Sequence, residues 1–132
     1  MATALARLGT RLALVVCSRD GLDEVSVSAP TQVRCVRDGS VIAWEWSPAD
    51  FGLAPCSLAD LYAESPEASA RLILEALEGK AGPPYRVVLA NAAAALLAAE
   101  QVTDPAAGVA RAAAVIASGR ARRVLDALRS AS

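Results

Sequence analysis

The sequence contains no histidine. That removes the commonest general base, any Ser-His-Asp triad and every histidine-containing metal site. Aromatic residues make up only 4% of the chain, so packing must rely on small and aliphatic side chains. Cysteine is sparse: Cys17, Cys35 and Cys56 lie far apart and form no Cys-x-x-Cys pair. An odd number of separated thiols without a secretory signal fits reduced cysteines in the cytosol, with Cys17 in a strand, Cys35 in a hairpin and Cys56 in a loop. No histidine can activate a thiol, so a cysteine nucleophile is not expected. Long hydrophobic runs are lacking too. Residues 12–17 fall short of the ~7–15 apolar residues of a signal peptide, and acidic residues follow at once. Residues 87–99 contain Asn91 and are shorter than the ~20 residues a membrane span needs. Nor is there an excess of positive charge: 13 Lys and Arg against 14 Asp and Glu give a net charge of −1. A nucleic-acid surface needs a basic face. The expectation is a cytoplasmic chain with neither membrane nor nucleic acid as partner.

What is present is a chain of 132 residues, 55% of them hydrophobic. This suits one α/β domain over residues 1–132 with a real core. The wealth of alanine favours helices that pack closely. Residues 1–8 read as the last turns of a helix ended by Gly9 in the left-handed conformation, a piece whose earlier part is missing. The run Leu12-Ala13-Leu14-Val15-Val16-Cys17 is continuous rather than alternating. It predicts a parallel strand buried on both faces, with neighbouring strands on either side. A shorter strand is expected at residues 25–27. Residues 32–36 and 41–46 alternate around Asp38-Gly39, a strong hairpin signal. Trp44 and Trp46 share a strand face; they cap a local apolar patch or, on a sharper reading, form an aromatic platform.

Ser47-Pro48-Ala49-Asp50 and Ser57-Leu58-Ala59-Asp60 each place a serine cap before a carboxylate at the third helical position, predicting two short turns. Ser65-Pro66-Glu67 opens a helix to about Glu78, with Ala70, Ile73, Leu74 and Leu77 as its apolar stripe. Gly82-Pro83-Pro84 breaks the chain. Residues 86–100 then read as a central buried helix in which Asn91 needs a hydrogen-bond partner. Asp104-Pro105 starts a further helix to about Ala117, and Gly119 precedes a last one ending near Arg129. Arg111, Arg120, Arg122, Arg123 and Arg129 are most simply a solvated face.

The stretch with chemical promise is Asp20-Gly21-Leu22-Asp23-Glu24-Val25-Ser26. It puts three carboxylates on a loop after a strand, where α/β sheets bind ligands. Adjacent Asp and Glu are oxygen ligands suited to Mg²⁺, which takes one or two carboxylates plus water and phosphate. A merely solvated acidic turn is the plainer reading of these residues alone.

Order decides between them. Val15-Val16, then residues 20–26, then Pro30-Thr31, then Ser47-Pro48-Ala49-Asp50-Phe51-Gly52-Leu53 are followed by Leu89-Ala90-Asn91-Ala92-Ala93-Ala94-Ala95-Leu96. Gly108-Val109 with Ala112, and Ser118-Gly119-Arg120-Ala121, complete the series. In this order they resemble the C-terminal part of anthranilate phosphoribosyltransferase, across residues 4–128. The resemblance implies the nucleoside phosphorylase and phosphoribosyltransferase class, with a small helical lobe and a large α/β lobe. It also implies attack by the anthranilate amine on phosphoribosyl pyrophosphate in tryptophan biosynthesis. On matching positions Asp23 and Glu24 are the metal ligands, for Mg²⁺. The family's glycine-rich phosphate loop, Lys-His-Gly-Asn segment, anthranilate contacts and helical lobe have no counterpart in these residues. Cys17-Ser18 replaces a common His-Gly, Ser69 a usual Asn, and Leu97 a common Tyr. The expected architecture is therefore truncated relative to the two-lobed fold: a partial sheet, a hairpin and a C-terminal set of helices. Phosphoribosyl pyrophosphate and anthranilate would bind only with a complementing N-terminal portion. A non-catalytic relative that self-associates into a homo-oligomer is the alternative.

Overall fold

The computed structural model describes residues 1–131. A short helix α1 (Ala2–Arg7) leads into three strands, β1 (Leu12–Ser18), β2 (Thr31–Arg37) and β3 (Ser40–Trp46). Two 3₁₀ turns (Pro48–Phe51 and Leu58–Leu61) connect these to four helices: α2 (Pro66–Leu77), α3 (Pro83–Ala98), α4 (Pro105–Ala117) and α5 (Arg120–Ser130).

The sheet is an antiparallel meander in the order β1-β2-β3. The β2–β3 hairpin forms where Asp38-Gly39 predicts it. Both residues have positive φ, 47° and 80°, as a two-residue turn matching the strand twist requires. The expected parallel strand is a correction. Residues 12–17 lie in β1, which pairs antiparallel with β2 alone and forms one edge of the sheet. Most of β1 is half-buried rather than enclosed, and Cys17 is exposed. Its unbroken apolar run reflects cover on both faces, since α1 and α3 both touch it, and not neighbours along both edges. Residues 25–27 are likewise not a strand.

One face of the sheet, the 3₁₀ turn at Phe51 and α3 enclose the main core. Val25, Val27, Val33, Trp46, Phe51, Ala90 and Ala93 meet there. Trp44 and Trp46 do share a face, with ring centroids 5.9 Å apart edge-to-face, and Trp46 meets Phe51 in the same way at 5.3 Å. Both short turns carry the reciprocal serine–aspartate caps. In α3 the prolines that read as a break occupy the first helical positions, where a missing N–H is harmless. The helix then runs deep: Leu89, Ala90, Ala93 and Ala94 are buried. In α2 the stripe is rotated from its expected place. Ala76 is buried and Leu72 half-buried, whereas Ala70 and Ile73 are exposed.

α3 and α4 cross at Gly108. A Cβ added there would lie 2.7 Å from the Cβ of Ala93, so glycine is what lets the two helices meet. At the far end of the sheet, Arg11 and Arg37 both pair with Glu100, just beyond α3. These exposed pairs contribute little stability individually. The cysteines are free thiols: Cys17 exposed, Cys35 buried and Cys56 between. Among the described residues no helix is long and apolar enough to cross a membrane.

Candidate functional site

The acidic loop leaves the end of β1 and returns at the start of β2, and its shape comes from Asp20. The Asp20 carboxylate points into the loop and accepts from the Ser26 hydroxyl at 2.6 Å, from the Ser28 hydroxyl, and from the Leu22 N–H at 3.3 Å. The Ser28 N–H donates to Ser26 Oγ at 2.9 Å, and the Ser26 N–H to Thr31 Oγ1 at 3.0 Å. Around this knot the Ser18 N–H donates to the Leu22 carbonyl at 2.8 Å and the Arg19 N–H to the Pro30 carbonyl at 2.9 Å. Burial pushes the Asp20 pKa up, but hydrogen bonds from Ser26, Ser28, Ser18 and Leu22 together outweigh it. The pKa falls to about 2. Asp20 is thus an internal anchor; of the three carboxylates in the stretch, two remain free for chemistry.

The second anchor is Asn91. Its Oδ1 accepts the Val25 N–H at 2.9 Å, and its Nδ2 donates to the Val25 carbonyl at 2.9 Å and the Val87 carbonyl at 3.0 Å. The carboxamide does for Val25 what a neighbouring strand would do, which is why residues 25–27 can be buried without belonging to the sheet. Val25 and Val27 are fully buried. This is the partner that Asn91, a polar residue on an apolar helix, required.

Asp23 and Glu24 lie between these two anchors. Both are exposed, and neither side chain makes a hydrogen bond or ion pair among the described residues. They edge a groove of ≈ 340 Å³ floored by Leu72, Ile73, Val87 and Val88, with Ser69 also on its lining. Ser69, the family departure on α2, therefore borders the same groove as the acidic pair. Ser18, another departure, is buried within the loop knot, its hydroxyl donating to the Pro30 carbonyl at 3.4 Å. Leu97 packs against the main core.

Asp23 and Glu24 are oxygen donors of the kind that would suit Mg²⁺. No group of three or more Asp, Glu, Cys or His among the described residues could hold a metal. Two adjacent carboxylates leave most coordination positions to water and phosphate oxygens, which is how Mg²⁺ is usually held. Read along the chain, Asp20 has no role of its own beyond its place in the acidic stretch. Its clue was the serines at positions 26 and 28, close enough to fold back onto it.

Loss of the Asp20 anchor should be measurable. Asp20→Asn is expected to lower stability by about 1–2 kcal/mol, because amide acceptance is weaker than acceptance by a charge. The pH dependence has a defined sign. A carboxylate with a lowered pKa stabilises the fold above its ordinary value of 3.8, and that contribution is lost as pH falls towards about 2. Urea midpoints between pH 5 and pH 2 should therefore fall more steeply for the parent chain than for Asp20→Asn; parallel curves would contradict the assignment.

Comparison with known proteins agrees with this geometry. A family model described as "Glycosyl transferase family, a/b domain" matches residues 1–122. An anthranilate phosphoribosyltransferase of Xylella fastidiosa (strain 9a5c) is 45% identical over 125 residues, covering 95% of this chain and 36% of its own length. The Symbiobacterium thermophilum enzyme of the same name is 46% identical over 129 residues, covering 98% and 38%. Among solved structures, anthranilate phosphoribosyltransferase from Thermus thermophilus superposes with a TM-score of 0.79 at 35% identity, covering 95% of this chain and 36% of its own. The Saccharomyces cerevisiae enzyme in complex with phosphoribosyl pyrophosphate and Mg gives 0.76 at 28% identity, covering 86% and 33%. The chain thus spans little more than a third of the length of the curated relatives it matches. By sequence and by fold, it belongs to the glycosyl transferase family of the a/b domain type and corresponds to the C-terminal part of anthranilate phosphoribosyltransferases.

Proposed function

We propose that this chain is the C-terminal part of a phosphoribosyltransferase that joins phosphoribosyl pyrophosphate to anthranilate, a step of tryptophan biosynthesis. In this reading Asp23 and Glu24 hold Mg²⁺, and a complementing N-terminal portion provides the phosphate-cradling loop and the anthranilate contacts. The observation that carries the reading is the pair itself. Two adjacent carboxylates stand free of protein partners, between an Asp20 knot and an Asn91 clamp that hold the backbone on either side. Carboxylates kept unpaired at the edge of a groove are poised for an external cation.

When bound, Mg²⁺ neutralises charge on the departing pyrophosphate. The chain's own contribution is placement. Asn91 fixes Val25, and so the register in which Glu24 leaves the core. Asp20 fixes the approach to Asp23 from the other side. Leu72, Val87 and Val88 give the groove beside the pair an apolar lining. Support for the substrates comes from the Saccharomyces cerevisiae relatives, solved with 4-fluoroanthranilate and with phosphoribosyl pyrophosphate and Mg.

Asp23→Ala or Glu24→Gln should each cut Mg²⁺-dependent phosphoribosyl transfer in a reconstituted complex by about 100-fold or more, an effect of the size found when a charge-stabilising group is removed. Neither residue is buried, so the fold should remain intact. An unchanged response to Mg²⁺ would remove the pair from the site.

A further inference from the structure

We propose that Thr31 is a positioning residue for the acidic pair: its hydroxyl fixes the backbone that follows Glu24, and so sets where the two carboxylates stand when a divalent cation binds. This rests on the phosphoribosyl reading, in which Asp23 and Glu24 hold the metal. Carboxylates on an exposed loop bind a cation well when the chain beneath them is already held, because ordering a loop on binding costs affinity. The peptide unit between Val25 and Ser26 is held at both of its polar atoms. Its carbonyl accepts from Asn91 Nδ2 at 2.9 Å, and its N–H donates to Thr31 Oγ1 at 3.0 Å. The preceding unit, which contains the Glu24 carbonyl, is held through the Val25 N–H, bonded to Asn91 Oδ1 at 2.9 Å. A peptide plane tied at one atom can pivot about it; tied at both, it cannot. The dihedral angles of Val25, which carry Glu24 into position, are fixed while Thr31 and Asn91 act together.

The two clamps come from different layers, Asn91 from α3 and Thr31 from the first position of β2, opposite Ser18 of β1 and Trp46 of β3. The loop is thereby referenced to helix and sheet at once. All of these contacts lie inside the chain: Val25 and Thr31 are fully buried and Ser26 is 2% exposed. A complementing portion therefore has no access to this N–H and cannot replace the hydroxyl. Valine has the shape of threonine but puts a methyl group where the acceptor stood, leaving the Ser26 N–H buried without a partner. Serine keeps the acceptor.

Paramagnetic broadening of backbone amide signals by Mn²⁺, a spectroscopic substitute for Mg²⁺, tests this on the full chain. The parent should show saturable broadening around residues 20–28, and Asp23→Ala should lose it. Thr31→Val should raise the Mn²⁺ dissociation constant by about tenfold, the size of loss found when a group that orients a metal ligand is removed. Hydrogen exchange at the Ser26 N–H should quicken by about tenfold or more in the same variant. Thr31→Ser should match the parent in both measurements. A merely structural threonine would lower the urea midpoint and leave the Mn²⁺ affinity of the folded chain unchanged. Should valine unfold the chain, Thr31→Ala against Thr31→Ser makes the same comparison. A parent chain without broadening at residues 20–28, or an Asp23→Ala chain that binds equally well, would overturn the metal assignment and this inference with it. A Thr31→Val chain that binds Mn²⁺ like the parent, while Asp23→Ala does not, would overturn this inference alone.

Discussion

Replacing Asn91 by leucine is expected to destabilise the chain by about 2–5 kcal/mol, and to loosen the acidic loop before anything else. The magnitude follows from what the leucine leaves behind. Val25 is fully buried, and both its N–H and its carbonyl depend on the Asn91 carboxamide. A buried backbone group without a partner costs about 1–3 kcal/mol, and here there are two. Leucine resembles the carboxamide in branching and is the better helix former, so propensity does not add to the loss. Urea unfolding gives the total. Hydrogen exchange gives the location: residues 20–28 should lose protection while α3 and α4 retain theirs. A loss below about 1 kcal/mol would mean that Val25 finds water or another partner.

Gly108→Val should be comparably damaging for the opposite reason. At this crossing a single added Cβ would already sit 2.7 Å from Ala93 Cβ and 2.8 Å from its Cα. The contact involves backbone, so no flexible side chain can swing aside. Overpacking typically costs about 1–3 kcal/mol; a β-branched side chain pressed against backbone belongs at or beyond the top of that range, about 3 kcal/mol or more. The midpoint of thermal unfolding should drop by about 10 °C or more for a domain of this size. Gly108→Ala should fall between the parent and the valine variant. A valine variant as stable as the parent would show that α3 and α4 can separate freely.

These two positions also show how far the chain can be read from its residues. Local signals translated directly. Asp38-Gly39 made the hairpin, the Ser-Pro-x-Asp and Ser-x-x-Asp segments made capped turns, and Asp104-Pro105 began α4. Each depends on contacts within a few residues. Long-range relations did not translate. The direction of β1 was misread because an unbroken apolar run reports cover on both faces and says nothing of which strand lies beside it. Residues 25–27 looked like a strand because they have the burial of one, but their backbone partner is a side chain 66 positions away. The α2 stripe turned by about one residue because Ile73 borders the groove beside Asp23 and Glu24 instead of entering the core.

The acidic stretch divides along the same line. Residue type and order singled out Asp23 and Glu24, and both are free and exposed. Adjacency set that pair apart, but nothing in the pattern foretold the role of Asp20, which has Ser26 and Ser28 folded over it. The hydroxyls of Ser26 and Ser28 make Asp20 an internal anchor, whereas Asp23 and Glu24 have no such neighbours among the described residues.

On the proposed function, this chain carries one part of a transferase site and works only with a complementing N-terminal portion. This is tested most directly by assaying phosphoribosyl transfer to anthranilate with the purified chain, with the N-terminal remainder of the Xylella fastidiosa relative, and with the two mixed in the presence of Mg²⁺. Neither alone should turn over substrate, whereas the mixture should, and Asp23→Ala should abolish that turnover. Turnover by the purified chain alone, or a mixture that works equally well with Asp23→Ala, would contradict the proposed function.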